Sequence, residues 1–191
     1  EGRGTPQGAP ISPLLANLYM RRFVLGWKAL GHEHRLQARI VNYADDFVIC
    51  CRGPTEPARQ AMQVLMERLG LTVNAAKTRV CHVPADSFDF LGYTIGRCYS
   101  TQTGRAYIGT RPSAKRIARL RRAIHENTSR RRLLIEPEEQ VAHLNRMLRG
   151  WANYFCLGPV SKAYRGLDLY ARYRLRRWLC CKHRLQNRGT S

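Results

Sequence analysis

The stretch Arg39-Ile-Val-Asn-Tyr-Ala-Asp-Asp-Phe-Val-Ile-Cys-Cys51 says more about the fold than any other part of the sequence. It consists of two short runs of β-branched and aromatic residues, with the acidic residues Asp45 and Asp46 between them. Such runs around a tight polar segment predict a β-hairpin with two carboxylates at its tip. Negative charge beside apolar strands is unfavourable unless it is compensated, and a divalent cation would compensate it. A water-exposed Asp-Asp turn is the alternative, and the dipeptide alone does not decide between them.

Segments on both sides of this hairpin predict mixed α and β structure for the first hundred residues. A Pro- and Gly-rich loop over residues 5–13 contains Ser12, which can cap a helix that runs to about Leu30. A second helix is expected to begin at residues 55–57 and to end at Gly70. Strands are expected at 71–74, 78–83 and 88–95, with a hairpin that joins 93–99 to 105–110.

Apolar residues recur at three- and four-residue spacings in both predicted helices, which indicates one buried face for each. The stripe of the first helix consists of Leu15, Leu18, Tyr19, Phe23, Trp27 and Leu30. The stripe of the second consists of Ala58, Ala61, Met62, Leu65 and Leu69.

From Pro112 onward the apolar pattern has a helical period throughout. Three helices with short connections are expected, from Pro112, from Pro137 and over residues 160–181, and they predict a small bundle. Their inward residues are Ile117, Leu120 and Ile124, then Val141, Leu144, Leu148, Trp151 and Phe155, and finally Leu167, Tyr170, Ala171, Leu175, Trp178 and Leu179. The first of these helices is amphipathic and basic, with Lys115, Arg116, Arg119, Arg121 and Arg122 on its other faces.

The positive charge is concentrated in this second half. Of the 191 residues, 33 are Lys or Arg and 13 are Asp or Glu, so the net charge is +20. Residues 1–96 contain 11 basic and 8 acidic residues, a net charge of +3, whereas residues 97–191 contain 22 and 5, a net charge of +17. A polyanion would neutralise such an excess, and the planar guanidinium of Arg matches phosphate, so nucleic acid is the predicted partner. A solvated basic surface is the alternative, although such surfaces usually mix Lys with Glu.

Composition also bounds the class of protein and its compartment. The 44% of hydrophobic residues is enough to fill a core, which excludes a disordered basic tail. Arg or Lys interrupts every apolar stretch of membrane-spanning length, and no signal peptide pattern is recognisable, so neither a membrane partner nor secretion is expected. The seven cysteines are an odd number without disulfide-framework spacing, which predicts reduced thiols and a cytoplasmic location.

Four motifs occur in the order and spacing of one family. They are Pro6-Gln7-Gly8 with Ile11-Ser12-Pro13, Tyr43-Ala-Asp-Asp46, Gly70-Leu-Thr-Val-Asn-Ala-Ala-Lys-Thr78 and Phe90-Leu-Gly-Tyr93. Together they resemble the palm of the reverse transcriptases of group II introns. The basic helices resemble that family's thumb and maturase region, through Leu144-Asn-Arg-Met-Leu-Arg-Gly-Trp-Ala-Asn-Tyr-Phe155 and Trp178-Leu-Cys-Cys-Lys-His183.

The resemblance implies an α+β fold, in which a partial polymerase palm of β-hairpins and two helices precedes a basic three-helix thumb and maturase bundle. The implied domains are a palm over residues 1–96, a β-hairpin connection over 97–111, a thumb and maturase domain over 112–183 and a polar tail over 184–191. The family's palm has a further catalytic aspartate before the Pro-Gln-Gly loop, and the sequence has no counterpart for it. The chain is therefore expected to be an N-terminally truncated piece with little polymerase activity by itself.

Residue roles follow from the same resemblance. The catalytic metal ligands, which would hold Mg²⁺, correspond to Asp45 and Asp46. The segment that closes over the incoming nucleotide corresponds to Gln7 and Gly8. A lysine that neutralises or protonates pyrophosphate corresponds to Lys77, for which a turn lysine in water is an equally good interpretation. The primer grip corresponds to Phe90, Leu91, Gly92 and Tyr93, of which the first two could equally belong to the core. The five basic residues of the first bundle helix would hold RNA.

The implied function is RNA-directed DNA synthesis, a nucleotidyl transfer, together with binding of the host intron RNA for splicing. The partners would be an intron RNA template, a DNA primer and deoxynucleoside triphosphates, and the oligomeric state is left open. One alternative is a non-catalytic RNA-binding maturase module, and another is a retron or defence-type reverse transcriptase. The acidic pair favours descent from an active polymerase, because a purely structural hairpin needs no two acids at its tip. The segment Arg149-Gly-Trp-Ala-Asn-Tyr154 favours the intron type.

Overall fold

A computed structural model describes residues 9–100 and 102–184. Helices occur in it together with one two-stranded and one three-stranded antiparallel sheet, which confirms the predicted α+β class. The chain divides into two compact units, Glu1–Val80 and Cys81–Ser191, and each has its own hydrophobic core. The predicted polar tail lies outside the described residues, apart from Arg184.

In the first unit, helices pack on one face of a β-hairpin. The two predicted helices and the hairpin are confirmed to within a residue or so at each end, and a four-residue helix between them was not predicted. The elements are α1 (Ser12–Ala29), α2 (His32–Arg35), β1 (Ala38–Tyr43), β2 (Asp46–Cys51) and α3 (Glu56–Arg68).

Trp27 joins α1 to the hairpin at the centre of this core. Its side chain is fully buried, and its indole Nε1 donates to the Ala38 carbonyl at 2.9 Å. Phe23, one turn earlier, lies 5.2 Å from the Phe47 ring, measured between centroids. Because side chains alternate along a strand, the residues of β2 that share a face with Phe47 also pack against this core.

The buried stripe predicted for α1 is wrong in part. Phe23 and Trp27 are buried as predicted, and Met20 is buried with them. This helix carries apolar residues around much of its circumference, so three- and four-residue spacing admits more than one face. The predicted members that are exposed instead are Leu18, Tyr19 and Leu30.

Residues 71–74 and 78–83 form no strand, contrary to prediction. Asn74 organises a local turn there, because its carbonyl accepts from the amides of Lys77 and Thr78, each at 3.1 Å. Its side-chain Oδ1 accepts from the Ala76 amide at 3.0 Å. These local bonds satisfy the backbone without a partner strand, as Asn side chains often do in turns.

In the second unit, a three-stranded sheet, whose strands lie side by side in chain order, precedes three long helices. The hairpin predicted to join residues 93–99 to 105–110 and the three-helix region are both confirmed. The elements are β3 (Phe88–Phe90), β4 (Tyr93–Tyr99), β5 (Ala106–Pro112), α4 (Ala114–Asn127), a 3₁₀ turn (Arg130–Arg132), α5 (Pro137–Tyr154) and α6 (Ser161–Lys182).

The single strand predicted over residues 88–95 is wrong. The chain reverses at Leu91 and Gly92, so that Phe90 pairs with Tyr93 and β3 is the antiparallel neighbour of β4. Apolar and aromatic residues run through this segment, and Leu is not a usual turn residue, which hides the turn from pattern analysis.

The bundle core is formed mainly by the predicted stripes of α4, α5 and α6. One exception lies in the first turns of α5, where Val141 is exposed and the adjacent Gln140 is 1% exposed. The Gln140 Nε2 donates to the Asn127 carbonyl at 2.8 Å, which satisfies a carbonyl in the last turn of α4. The buried residues of this core cluster are Leu120, Ile124, Leu144, Leu167 and Ala171.

The division after Val80 groups residues 81–96, which the family resemblance places in the palm, with the helices that follow. All seven cysteines lie in the described ranges and are free thiols. Among the helices described, none has both the length and the apolar character of a membrane span.

Candidate functional site

The acidic pair lies at the end of a tight hairpin, as predicted. Tyr43 and Asp46 are the last paired residues, so only Ala44 and Asp45 form the turn. Ala44 has a φ of 53°, and a positive φ at the first central position is typical of two-residue hairpin turns. The Asn42 side-chain Nδ2 holds the turn by donating to the Ala44 carbonyl at 2.9 Å and to the Asp46 carbonyl at 3.3 Å.

The two carboxylates occupy different positions on this tip. Phe47 and Ile49 pack against the core, so Asp46 projects on the outer face beside its cross-strand neighbour Tyr43. Asp45 belongs to the turn itself. Both acids are exposed, and neither forms a salt bridge with a described residue. The expectation that apolar strands make their charge unfavourable is therefore wrong, because water solvates both.

The chemistry of this donor set fits a divalent cation. Adjacent carboxylates on a firmly held turn provide hard oxygen ligands, and Mg²⁺ usually takes one or two carboxylates with water and substrate phosphates as its other ligands. No cluster of three or more His, Cys, Asp or Glu suited to a metal occurs among the described residues. Asp45 and Asp46 could thus hold an ion only together with water, substrate or ligands from outside the described ranges.

Lys77, predicted to act on pyrophosphate, has no hydrogen bond or salt bridge to this hairpin among the described residues. Lys77 is exposed in the Asn74 turn of the same unit, where its backbone amide makes the local bond. Gln7 and Gly8 lie outside the described residues.

The predicted primer-grip segment forms a second tight turn, in the second unit. Leu91 and Gly92 have φ values of 52° and 84°. Positive φ at both central positions is the type I′ geometry, which suits Gly and is unfavourable for Leu. The surrounding structure must therefore hold Leu91 in this conformation.

Two tyrosines fasten this turn to the end of α5, and we call them the tyrosine clasp. The Tyr154 hydroxyl donates to the Leu91 carbonyl at 2.9 Å, and the Tyr93 hydroxyl donates to the Tyr154 carbonyl at 2.6 Å. Their rings stack with centroids 6.1 Å apart, and the Tyr93 ring lies 5.0 Å from that of Phe155. The clasp connects the β3-β4 turn directly to the helical bundle.

Gly92 is fitted closely against the helices. Its carbonyl accepts from the Ser113 amide at 2.9 Å, just before α4. A Cβ atom at this position would lie 2.9 Å from the Arg116 Nε and 3.2 Å from the Phe155 Cζ. Both the backbone conformation and the available space therefore require glycine here.

Aromatic packing extends from the clasp along α5. The Trp151 ring lies 4.6 Å from that of Phe155 and 6.2 Å from that of Tyr164. Burial raises the pKa of the Tyr164 phenol, whose hydroxyl donates to the Phe155 carbonyl at 2.8 Å. Sequence reasoning places Trp151 and Phe155 in the core but misses the clasp, because its two residues are 61 positions apart and leave no local signal.

The five basic residues predicted to bind RNA are all exposed on α4, but their surroundings differ. The Arg121 guanidinium lies 4.5 Å from the centroid of the Tyr170 ring, a cation–π contact with α6. Arg116 lies against Gly92. The remaining three make no side-chain hydrogen bond, salt bridge or cation–π contact within the described residues and are available to a partner; they are Lys115, Arg119 and Arg122.

Other basic residues of this unit stabilise the bundle itself. The Lys182 Nζ donates to the carbonyls of Leu133 and Ile135 at 3.0 and 2.9 Å, and Arg174 hydrogen-bonds to Thr128 at the end of α4. Cations at helix ends satisfy carbonyls that have no partner within the helix. Only part of the positive charge of this half is therefore free to bind nucleic acid.

Comparison with known proteins gives two matches that together span most of the chain. A family model described as reverse transcriptase (RNA-dependent DNA polymerase) matches residues 1–95, which contain the acidic hairpin and the Leu91-Gly92 turn. A model described as group II intron, maturase-specific domain matches residues 117–191, which begin within α4 and contain α5 and α6. No match was found among the curated proteins. The order of these two domains, and the acidic hairpin in the first of them, show that the chain belongs to the reverse transcriptase and maturase family of group II introns.

Proposed function

We propose that Asp45 and Asp46 hold Mg²⁺ for RNA-directed DNA synthesis and that the helical bundle holds intron RNA. One observation carries the proposal: two adjacent, exposed carboxylates stand on a hydrogen-bonded two-residue turn within the part of the chain that matches reverse transcriptases. Magnesium bound there would assist nucleotidyl transfer by activating the attacking hydroxyl and by stabilising the leaving pyrophosphate.

In this proposal, the hairpin positions the Asp45 and Asp46 carboxylates. Asn42 fixes the carbonyls on both sides of Asp45, which limits the directions in which the carboxylate can point. Because the backbone around Asp45 is already held, less conformational entropy is lost when an ion binds, and the free-energy cost of binding is lower. Asp46 lies at the same exposed end of the hairpin, opposite Tyr43 on the neighbouring strand.

The partners in this proposal are an intron RNA template, a DNA primer and deoxynucleoside triphosphates. The turn at Leu91 and Gly92 would contact the primer end, and the tyrosine clasp would hold that turn in position. The exposed cations of α4 would bind backbone phosphates, which Lys and Arg bind in nucleic acids generally. The assignment of Gln7, Gly8 and Lys77 to the nucleotide rests on their match to the family motifs.

Metal binding at the hairpin can be measured directly on this chain. In ¹⁵N-labelled residues 1–191 bound to a primer–template duplex, Mn²⁺ should broaden the amide signals of residues 44–46, and excess Mg²⁺ should restore them. Asp45→Asn should abolish the broadening. Glu67→Gln, which neutralises another exposed acid of the same unit, should leave it unchanged. Broadening that is spread evenly over the exposed acids would contradict a specific site.

A second function, binding of intron RNA without catalysis, is favoured by the exposed cations of α4 in the maturase-specific domain. In that case the reverse transcriptase part would serve as a scaffold. The two functions are separated by Asp45→Asn in a polymerase-competent polypeptide, because loss of DNA synthesis with retained RNA binding requires a catalytic role for the carboxylate.

Residues 1–191 alone are expected to extend primers poorly. Two-metal sites normally use more protein ligands than the single acidic pair found in the described residues. Robust primer extension by the purified chain would contradict this expectation.

A further inference from the structure

The bundle contains a small cavity that the proposed function does not use. It has a volume of about 180 Å³ and lies where the end of α4, the 3₁₀ turn and the second half of α6 meet. Its walls include Arg130, Arg174, Arg177 and Trp178, and we call it the arginine pocket. No Asp or Glu lines it among the described residues.

Arg174 is fixed in the wall of the arginine pocket. Its Nε donates to the Thr128 hydroxyl at 3.0 Å, and its Nη2 donates to the carbonyls of Thr128 at 3.0 Å and of His125 at 3.3 Å. These bonds leave Nη1 without a protein acceptor among the described residues. A guanidinium held in this way presents its remaining N–H groups to the cavity at little further entropic cost.

Trp178 supplies a second donor that lacks an acceptor. The residue is 2% exposed, its Nε1 is buried, and no hydrogen-bond partner for that atom exists among the described residues. Trp27 shows the usual situation, since its buried Nε1 donates to the Ala38 carbonyl. The Trp151 Nε1 is also buried without a partner among the described residues. What distinguishes Trp178 is that its side chain lines the arginine pocket.

The charge of the lining restricts that acceptor. Arg130 is exposed and makes no side-chain hydrogen bond or salt bridge with a described residue, and Arg177 makes only a long contact of 3.4 Å with the Tyr173 hydroxyl. Three guanidinium groups, with no Asp or Glu in the lining, match an anion that carries several acceptor oxygens. A phosphate group has this chemistry, and Arg binds it through paired hydrogen bonds.

We propose that the arginine pocket binds a phosphodiester of the RNA backbone, at a position separate from the exposed cations of α4. RNA is favoured over free phosphate because the pocket adjoins the run Arg130–Arg132 in the maturase-specific domain, so that a strand in the pocket would continue past further cations. The inference rests on the proposed RNA binding and adds a defined contact to it.

The three tryptophans of the chain provide the measurement. In ¹⁵N-labelled residues 1–191, each indole N–H gives one resonance, and those of Trp151 and Trp178 are assigned from Trp151→Phe and Trp178→Phe. A single-stranded RNA oligonucleotide should shift the Trp178 resonance, because the indole lines the pocket that the phosphate enters. The Trp27 resonance should stay in place, because its ring is fully buried in the core of the first unit.

Substitutions of exposed arginines test the arginine pocket. Arg130→Ala should abolish the Trp178 shift and reduce the slope of log affinity against log salt by about one. Arg172→Ala, which removes an exposed cation from α6 outside the pocket, should leave the Trp178 shift unchanged. Loss of the shift in both variants would overturn the assignment of the phosphate to this pocket.

Loss of the pocket contact and loss of RNA binding in general give different results. If RNA binds, with a salt slope that depends on Arg119 and Arg122, but the Trp178 resonance does not move, the pocket assignment is wrong and the proposed function stands. If inorganic phosphate shifts the resonance and RNA does not, the site takes free anions and the RNA contact is overturned. If no RNA binds even at low salt, both the pocket contact and the proposed function are contradicted.

Discussion

The tyrosine clasp holds the Leu91-Gly92 turn by two hydrogen bonds. The Tyr154 hydroxyl donates to the Leu91 carbonyl, and the Tyr93 hydroxyl donates to the Tyr154 carbonyl. Tyr93→Phe should lower the free energy of unfolding by about 1 kcal/mol, because it removes a short hydrogen bond from a side chain that is 9% exposed. Tyr99→Phe changes the same group on the same strand, where the side chain is 60% exposed, and should have little effect. Denaturant unfolding measures both, and equal losses would contradict the clasp.

Comparison of Gly92 with Gly104 separates the two reasons for which a position requires glycine, namely a positive φ and a lack of space for a Cβ atom. Both have positive φ, but a Cβ would be crowded at Gly92 and would meet nothing within 4 Å at Gly104. Gly104→Ala should therefore cost about 1–2 kcal/mol from the backbone alone, and Gly92→Ala should cost at least about 1 kcal/mol more because of the clash with Arg116 and Phe155. Similar midpoints for the two variants in denaturant unfolding would show that the helices do not confine the turn.

His32 predicts a pH dependence for the first unit. The Arg35 Nη2 donates to its Nδ1 at 3.1 Å, which requires an unprotonated Nδ1, and burial followed by the Arg35 charge lowers the His32 pKa below 6.5. The unfolded chain therefore binds this proton at a higher pH than the folded chain does. The free energy of unfolding should be fully retained above pH 6.5 and should fall as the pH drops from 6.5 through the lowered pKa.

Unfolding measured between pH 7.5 and 5.5 checks this dependence. His32→Gln should flatten the curve in that window, whereas His34→Gln, which changes an exposed neighbour, should keep the parental shape. A parental shape for His32→Gln would show that burial of this imidazole does not control the response.

Helix α4 has one side in the bundle core and another that is free to bind RNA. Arg119→Ala and Arg122→Ala should each reduce the salt slope of RNA affinity by about one, because each removes one phosphate contact. Arg59→Ala serves as the control, since its guanidinium is already paired with Glu56 at 2.8 Å in the first unit. Unchanged slopes for both α4 variants would mean that these side chains face only water.

The two hairpin turns show what local sequence can predict. The acidic pair Asp45 and Asp46 interrupts two β-prone runs, and the hairpin tip was predicted at its observed position. The Leu91-Gly92 turn interrupts an apolar run with only one typical turn residue, and it was missed. Its conformation is fixed by Tyr154 and Ser113, and nothing within the turn sequence reports those distant partners.

The whole chain shows the same division between local and distant determinants. The helix with bounds predicted from its apolar period over residues 160–181 was correct to within one residue at each end, as α6 shows. The fate of individual cations was not predictable: Arg174 and Lys182 bond to carbonyls of the bundle, and Arg121 lies on Tyr170. The count of positive charges therefore predicts a nucleic-acid partner better than it predicts which residues contact it.

The candidate site was predictable in identity more than in geometry. The two acids and their hairpin follow from residues 39–51, whereas their exposure to water contradicts the expectation drawn from the flanking apolar strands. Burial depends on which face of the hairpin each residue occupies and on what packs there, and the core of α1 and α3 covers only the opposite face.

The role of the acidic pair is tested most directly by the rate of primer extension in a polypeptide that joins residues 1–191 to the N-terminal part of a group II intron reverse transcriptase. Asp45→Asn should slow extension by about 10³-fold, or about 4 kcal/mol in activation free energy, because it removes a charged metal ligand while RNA affinity is kept. Glu67→Gln should extend at the parental rate. Equal rates for Asp45→Asn and the parent, with RNA binding intact in both, would contradict a catalytic metal at this hairpin.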